Sequence, residues 1–305
     1  MTARALRDWL ESGQIAIYFG AGLIALMLFV TFLQVSLAEL GQAFARLRFL
    51  AALLVVNFIA VPLLVAVLIP FAPDDALIRL GVLLVLLYPC IDYVVTFAHL
   101  GRADARLLLA STSALLIFQM LLLPLYLHVF LGATASRLIQ AGPFLHAFLW
   151  LIVIPLAFAI MVQLSTKRSV IGQRIPVMFG LLPVPATALV LFTVIAAVVP
   201  QLGPAANDAL RVTPVYVAFA VFAPLLGWAV SRATRLKAEE GRALAFSAAT
   251  RNSLFVLPLA LAVPGAVPLL PAIIVVQTLV ELIAELIFIR FISGLGAKRP
   301  AQRKR

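Results

Sequence analysis

Nine apolar runs, each bounded by charged or turn-forming residues, follow one another at 14–36, 48–70, 76–98, 104–131, 143–165, 175–200, 208–231, 241–263 and 268–292. Each reaches the roughly 20 residues that a helix needs to cross hydrocarbon, and short loops join them. The pattern predicts an all-α integral membrane protein with nine transmembrane helices. The first run follows the mixed charges Arg4, Arg7, Asp8 and Glu11 and exceeds the apolar region of a signal peptide, so it reads as a retained span.

Polar and helix-breaking residues interrupt these runs in a repeating order. The third and eighth spans are broken at their centres, the second carries Asn57 and Pro62, and the seventh carries Pro214 and Pro224. Gln119 in the fourth span is echoed by Gln277 in the ninth. An offset of five spans reverses orientation, so the pattern predicts inverted repeats, the first four spans against the last four. Secondary transporters are built in this way, with substrate at the midplane beside discontinuous helices.

Composition sharpens the class. With 64% apolar and 11% charged residues and a mean hydropathy of +1.15, the chain lies far outside soluble averages. A formal net charge of +11 would suit a nucleic-acid partner, but the cations sit in short loops where topology explains them. Alternate loops hold Arg46/Arg48, Arg102/Arg106, Lys167/Arg168/Arg174, Arg232/Arg235/Lys237/Arg242, and Arg290 with the Lys298 to Arg305 tail, 17 of the 23 Lys and Arg. The other segments hold only Arg4, Arg7, Arg79, Arg137 and Arg211. The cation-rich side is cytoplasmic by the positive-inside rule. This predicts a multi-pass protein of the cell membrane with its N-terminus outside and its C-terminus cytoplasmic. The basic tail would touch anionic lipid.

One cysteine excludes an internal disulfide, and the three histidines, His99, His128 and His146, lie near span ends without metal-ligand spacing. No nucleophile and base pair emerges, so the chain reads as neither an enzyme nor a holder of cofactors or metals. A membrane enzyme or a sensor scaffold is the remaining reading of a different class. Oligomeric state is not encoded in these features.

The chemistry gathers at mid-bilayer depth. The third span holds Leu87-Tyr88-Pro89-Cys90-Ile91-Asp92-Tyr93, and the eighth holds Thr250-Arg251-Asn252-Ser253. Two breaks at one depth predict a shared cavity, because backbone groups freed in lipid need protein or water as partners. Asp92, Arg251, Glu281 and Glu285 are the charges within spans, each costing about 2.5 to 3.5 kcal/mol if it faced lipid, so they face inward. Glu281 and Glu285 share a helical face; for Glu285, snorkelling or pairing with Arg290 is the structural alternative. For Asp92 and Arg251 the structural alternative is an ion pair between the crossed helices. Tyr88, Tyr93, Thr250, Gln119 and Gln277 complete the candidate lining.

These residues resemble those of the bile acid/sodium symporter superfamily, and within it the arsenite-efflux branch, over nearly the whole chain. The resemblance implies a single membrane transporter domain over 1–305 in a nine-span form, with two discontinuous helices crossing in a core domain. The panel would cover about 14–47 and 143–206, and the core about 48–131 and 207–292. Sodium symporters carry Pro-Gly-Gly-Thr-x-Ser-Asn in the first broken helix and Glu-x-x-x-Gln-Asn-Ser in the second. Pro89, Asn252 and Ser253 match, but the ion-binding Ser-Asn falls on Val94 and Val95, the Glu on Ser247 and the Gln on Arg251. A fixed cation where sodium would bind argues against sodium coupling.

The arsenite branch carries Cys-Ile-Ala-Met-Val, resembled by Cys90-Ile91-Asp92-Tyr93-Val94, and an Ile-Glu pair matched by Val280-Glu281. Its Asn-Asn-Phe-Glu reads Arg251-Asn252-Ser253-Leu254 here, and its arginine before the cysteine is Pro89. Asp92 could replace the absent carboxylate from the opposite helix. The resemblance therefore implies a proton-coupled exporter of arsenite, with antimonite as a second cargo. Cys90 would contact the metalloid, Asn252 and Ser253 its hydroxyls, with Arg251 and Tyr93 beside them, and Asp92 or Glu281 would carry the proton. The alternative is a carrier of a small organic anion, sodium-coupled or not, in which Arg251 pairs with the substrate carboxylate.

Overall fold

The computed structural model describes residues 46–91, 93–132, 149–166, 205–261 and 263–296, with single helical positions at Gly22, Leu26, Phe29, Leu33, Leu189, Phe192 and Ala196. All regular elements among them are helices. Apart from those single positions, the expected spans at 14–36 and 175–200, and most of the expected panel, lie outside the described residues.

Helix α1 (Leu47–Phe71) is long and apolar enough to cross a bilayer. Its middle relaxes into a π-turn at Val56–Ala60, a form that widens the helix by one residue and recurs at functional sites. Pro62 has no N–H to offer the carbonyl of Phe58, and the hydroxyl of Tyr126 donates to that carbonyl instead, at 2.5 Å. Ile59, Leu63 and Val67, four residues apart, are exposed along one stripe, whereas Leu53, Val56, Val61 and Val65 are buried. This is the outward apolar face expected of a helix solvated by lipid.

Helix α2 (Ala76–Leu86) starts on Asp75, whose carboxylate accepts from the N–H of Ile78 at 2.9 Å. It stops ahead of Pro89, which disfavours helical geometry in the residue before it. The chain resumes as α3 (Val94–Leu100). Asp104 caps α4 (Ala105–Leu131) by accepting from the N–H of Leu107 at 3.0 Å. Segments Ala105–Thr112 and Ala114–Leu123 of α4 meet at 43°. Just ahead of the bend the hydroxyls of Ser111 and Thr112 donate back to the carbonyls of Leu107 and Leu109, bonds that compete with the helical ladder.

Beyond α5 (Ile154–Thr166), the short α6 (Ala205–Leu210) leads into α7 (Thr213–Ala233). Then come α8 (Ala238–Ala249), α9 (Ser253–Leu261) and α10 (Leu269–Phe291). The described residues hold three membrane-spanning candidates, Leu47–Phe71, Ala206–Ala233 and Leu269–Gly294, and a fourth if the bent α4 is one span. The chain is a multi-pass membrane protein.

Small residues set the approach of α7 and α8. A Cβ on Gly227 would lie 2.7 Å from the carbonyl oxygen of Leu244 and 2.9 Å from Cα of Ala245. In lipid, where apolar side chains gain little from leaving their solvent, such close backbone approach is what holds helices together.

Candidate functional site

The two breaks cross and bond to each other. Between α2 and α3 the chain leaves the helix, bends at Tyr88 and passes through Pro89 and Cys90; between α8 and α9 it is non-helical through Thr250, Arg251 and Asn252. Pro89 and Arg251 form an antiparallel bridge. The N–H of Cys90 donates to the carbonyl of Thr250 at 3.2 Å, and the N–H of Asn252 donates to the carbonyl of Tyr88 at 2.8 Å. Each break therefore satisfies backbone groups of the other, as a break in a medium without water requires. Tyr88 stacks on Phe255 of α9, ring centroids 4.8 Å apart, clamping the crossing from the side.

Arg251 is fully buried, and its guanidinium turns back along α8. It donates to the carbonyls of Ser247 and Ala248, to Asn57 Oδ1 at 3.0 Å and, more weakly, to the carbonyl of Leu86 at 3.4 Å. Ser247 and Ala248 end α8 and Leu86 ends α2, so one cation neutralises the negative C-terminal poles of both half-helices. Among the described residues no carboxylate pairs with it. Asp92 lies outside the described residues, and so does its expected pairing with Arg251. The π-turn of α1 presents Asn57, whose amide also donates to the hydroxyl of Ser247 at 2.9 Å.

On the far side of the crossing stands α10. Glu281 Oε2 accepts from the N–H of Arg251 at 2.8 Å and from the Gln277 amide, while Oε1 lies 2.6 Å from the hydroxyl of Tyr93. One turn on, Glu285 is fully buried and takes the hydroxyl of Thr250 on Oε1. The alternative of snorkelling or pairing with Arg290 therefore does not describe Glu285; it belongs to the crossing.

Six residues singled out from the sequence come together here: Cys90, Tyr93, Arg251, Asn252, Ser253 and Glu281. Their hydrogen bonds differentiate them. Asn252 Oδ1 caps α9 by accepting from the N–H of Phe255 at 3.2 Å, which leaves its buried Nδ2 without a partner and able to meet a guest. The hydroxyls of Thr278 and Ser253 are 2.8 Å apart, and that of Thr278 also reaches the carbonyl of Ile274 at 2.9 Å; with the Thr278 hydrogen on that carbonyl, Ser253 donates to Thr278 and its oxygen keeps lone pairs to offer a guest. Asn57, Ser247 and Thr278 were not among the expected ligands, although a polar residue inside an apolar run is the signal that marks each.

Cys90, Arg251, Asn252 and Ser253 are all at most 1% exposed, so the crossing itself is closed to solvent. A cavity of about 10 Å³ abuts the crossing, lined by Leu86, Tyr216, Phe219, Gln277 and Glu281 among others. That is room for one water.

A sequence profile of the sodium bile acid symporter family matches residues 21–204. The matched stretch includes Pro89 and Cys90 and ends before Arg251, Asn252 and Glu281. No curated protein matches the chain.

Proposed function

This chain belongs to the sodium bile acid symporter family, and from that premise we propose that it is a secondary transporter exporting arsenite, with antimonite as a second cargo, driven by inward proton movement. A transporter of this family binds a small substrate and often a coupled ion such as sodium. The observation that carries the finer reading is the position of Cys90, a buried thiol in the first break, where its backbone bonds to the second. Arsenous acid is neutral, small and thiol-seeking, and a soft sulfur beside hydrogen-bonding groups suits it. The Asn252 amide and Ser253 hydroxyl supply such groups. A single sulfur contact holds the metalloid loosely enough for release.

Residues 48–131 and 207–292 form the moving core in this reading, and 14–47 and 143–206 the panel, within one transporter unit of the cell membrane whose C-terminus is cytoplasmic. Glu281 carries the coupling proton, with Asp92 as a second carboxylate. Arg251 argues against both a sodium ion and an organic anion as its partner. Its charge already sits among the oxygens of Ser247, Ala248 and Asn57, and leaving them for a substrate carboxylate would strand buried acceptors.

The test is arsenite accumulation in everted vesicles under an imposed pH gradient. Uptake that follows the gradient and collapses with a protonophore is the expected result. Vesicles that take up no more arsenite than those lacking the protein would end the assignment.

A further inference from the structure

The hydroxyl of Tyr93 stands between two oxygens, 2.6 Å from Glu281 Oε1 and 2.7 Å from the carbonyl of Arg251. A phenol has one hydrogen and cannot donate to both. Two oxygens as close as 2.7 Å need a hydrogen between them, and the Arg251 carbonyl has none to give, so that hydrogen comes from Tyr93. Oε2 of Glu281 already accepts from the N–H of Arg251 and the Gln277 amide.

With Glu281 as a carboxylate, the Tyr93 hydrogen would turn to Oε1, leaving the Arg251 carbonyl against a hydroxyl lone pair in a buried place. With a hydrogen on Oε1, every contact has one donor: Glu281 donates to Tyr93, and Tyr93 donates to Arg251. We propose that Glu281 is a neutral acid in this conformation and that Tyr93 is a positioning residue that reports its protonation to the helix crossing. When the proton leaves Oε1, the Tyr93 hydrogen rotates from the Arg251 carbonyl to Oε1, one proton is released, and the carbonyl at the crossing loses its donor. Unlocking of the crossing is thereby tied to deprotonation.

The titratable and charged groups facing Glu281 are Tyr93 from the first break, Arg251 from the second, Tyr216 from α7 across the water-sized cavity, and Glu285 on α10 itself. Tyr216 and Gln277 Oε1 line that cavity with polar atoms that have no protein partner, giving a departing proton a water to enter. The inference rests on the proton-coupled reading above, but its test needs no substrate.

Infrared difference spectra of the full protein in lipid, between low and high pH, read the carbonyl stretch of a protonated carboxylic acid directly. A component of that band is expected in the unmodified protein that is lost in Glu281→Gln, shifted in Tyr93→Phe and retained in Glu285→Gln, which removes any contribution of its own. The amide introduced by Glu281→Gln can donate to Tyr93 and accept from Arg251, so that variant keeps the fold. If Tyr93→Phe does not insert, Glu281→Gln decides alone. An acid band left unchanged by Glu281→Gln, or no acid band at the low pH, overturns the proposal. Failure of arsenite transport would leave these spectra unchanged.

Discussion

Asn57 Oδ1 and Arg251 Nη2 are 3.0 Å apart, joining the π-turn of α1 to the second break. Arg251 thus ties α1, α8 and the end of α2 around one charge. Replacing it with alanine would leave Asn57 Oδ1 and the carbonyls of Ser247 and Ala248 without this donor. A loss of about 3 kcal/mol or more is expected, since bonds to charged groups contribute about 1.5 to 3 kcal/mol each. Thermal unfolding in detergent should show a clear fall for Arg251→Ala, partly restored by added guanidinium ion. An unchanged midpoint would mean that the charge is not structural.

The same placement predicts sodium-independent transport. Two cations cannot share one cluster of oxygens in a low dielectric. Exchanging sodium for choline at constant ionic strength should leave the transport rate where it was. A rate that scales with sodium would require a second ion site away from Arg251.

Cys90→Ser nearly preserves size while exchanging a polarizable sulfur for a hard oxygen. The N–H of Cys90 that bonds to Thr250 is retained, so insertion should persist. Arsenite export should fall roughly 10-fold or more, since altering even the hydrogen-bond partners of a metal ligand costs about 10- to 100-fold in affinity or activity. Resistance of a sensitive host, with expression checked by immunoblot, reads this. Full protection by the serine variant would refute thiol contact.

Gly227→Ala tests the packing of α7 on α8. The added methyl meets backbone atoms of Leu244 and Ala245, which cannot swing aside as a side chain could. A destabilisation of about 1 to 3 kcal/mol is expected, visible as reduced thermal stability of the purified protein. A neutral result would show that the two helices separate without cost.

Much was legible along the chain because lipid imposes its demands locally. A helix must satisfy its own backbone, so length and apolarity of a run mark a span such as Leu47–Phe71, and a proline or charge within it marks a break such as that at Pro89. The coincidence of two breaks at one depth foretold their crossing, and the inward faces of Arg251 and Glu281 followed from the cost of charge in hydrocarbon. What no one-dimensional pattern could decide was which oxygen each donor would meet. Arg251 read equally as a substrate ligand or an ion-pair partner, and only the fold brought Asn57 and the ends of α2 and α8 within its reach. Tyr93 likewise read as a substrate contact, until the crossing set its single hydrogen between Glu281 and the Arg251 backbone. These choices depend on contacts across some 160 to 190 positions of chain, and hydrogen bonds are fixed by tenths of an ångström that only packing supplies.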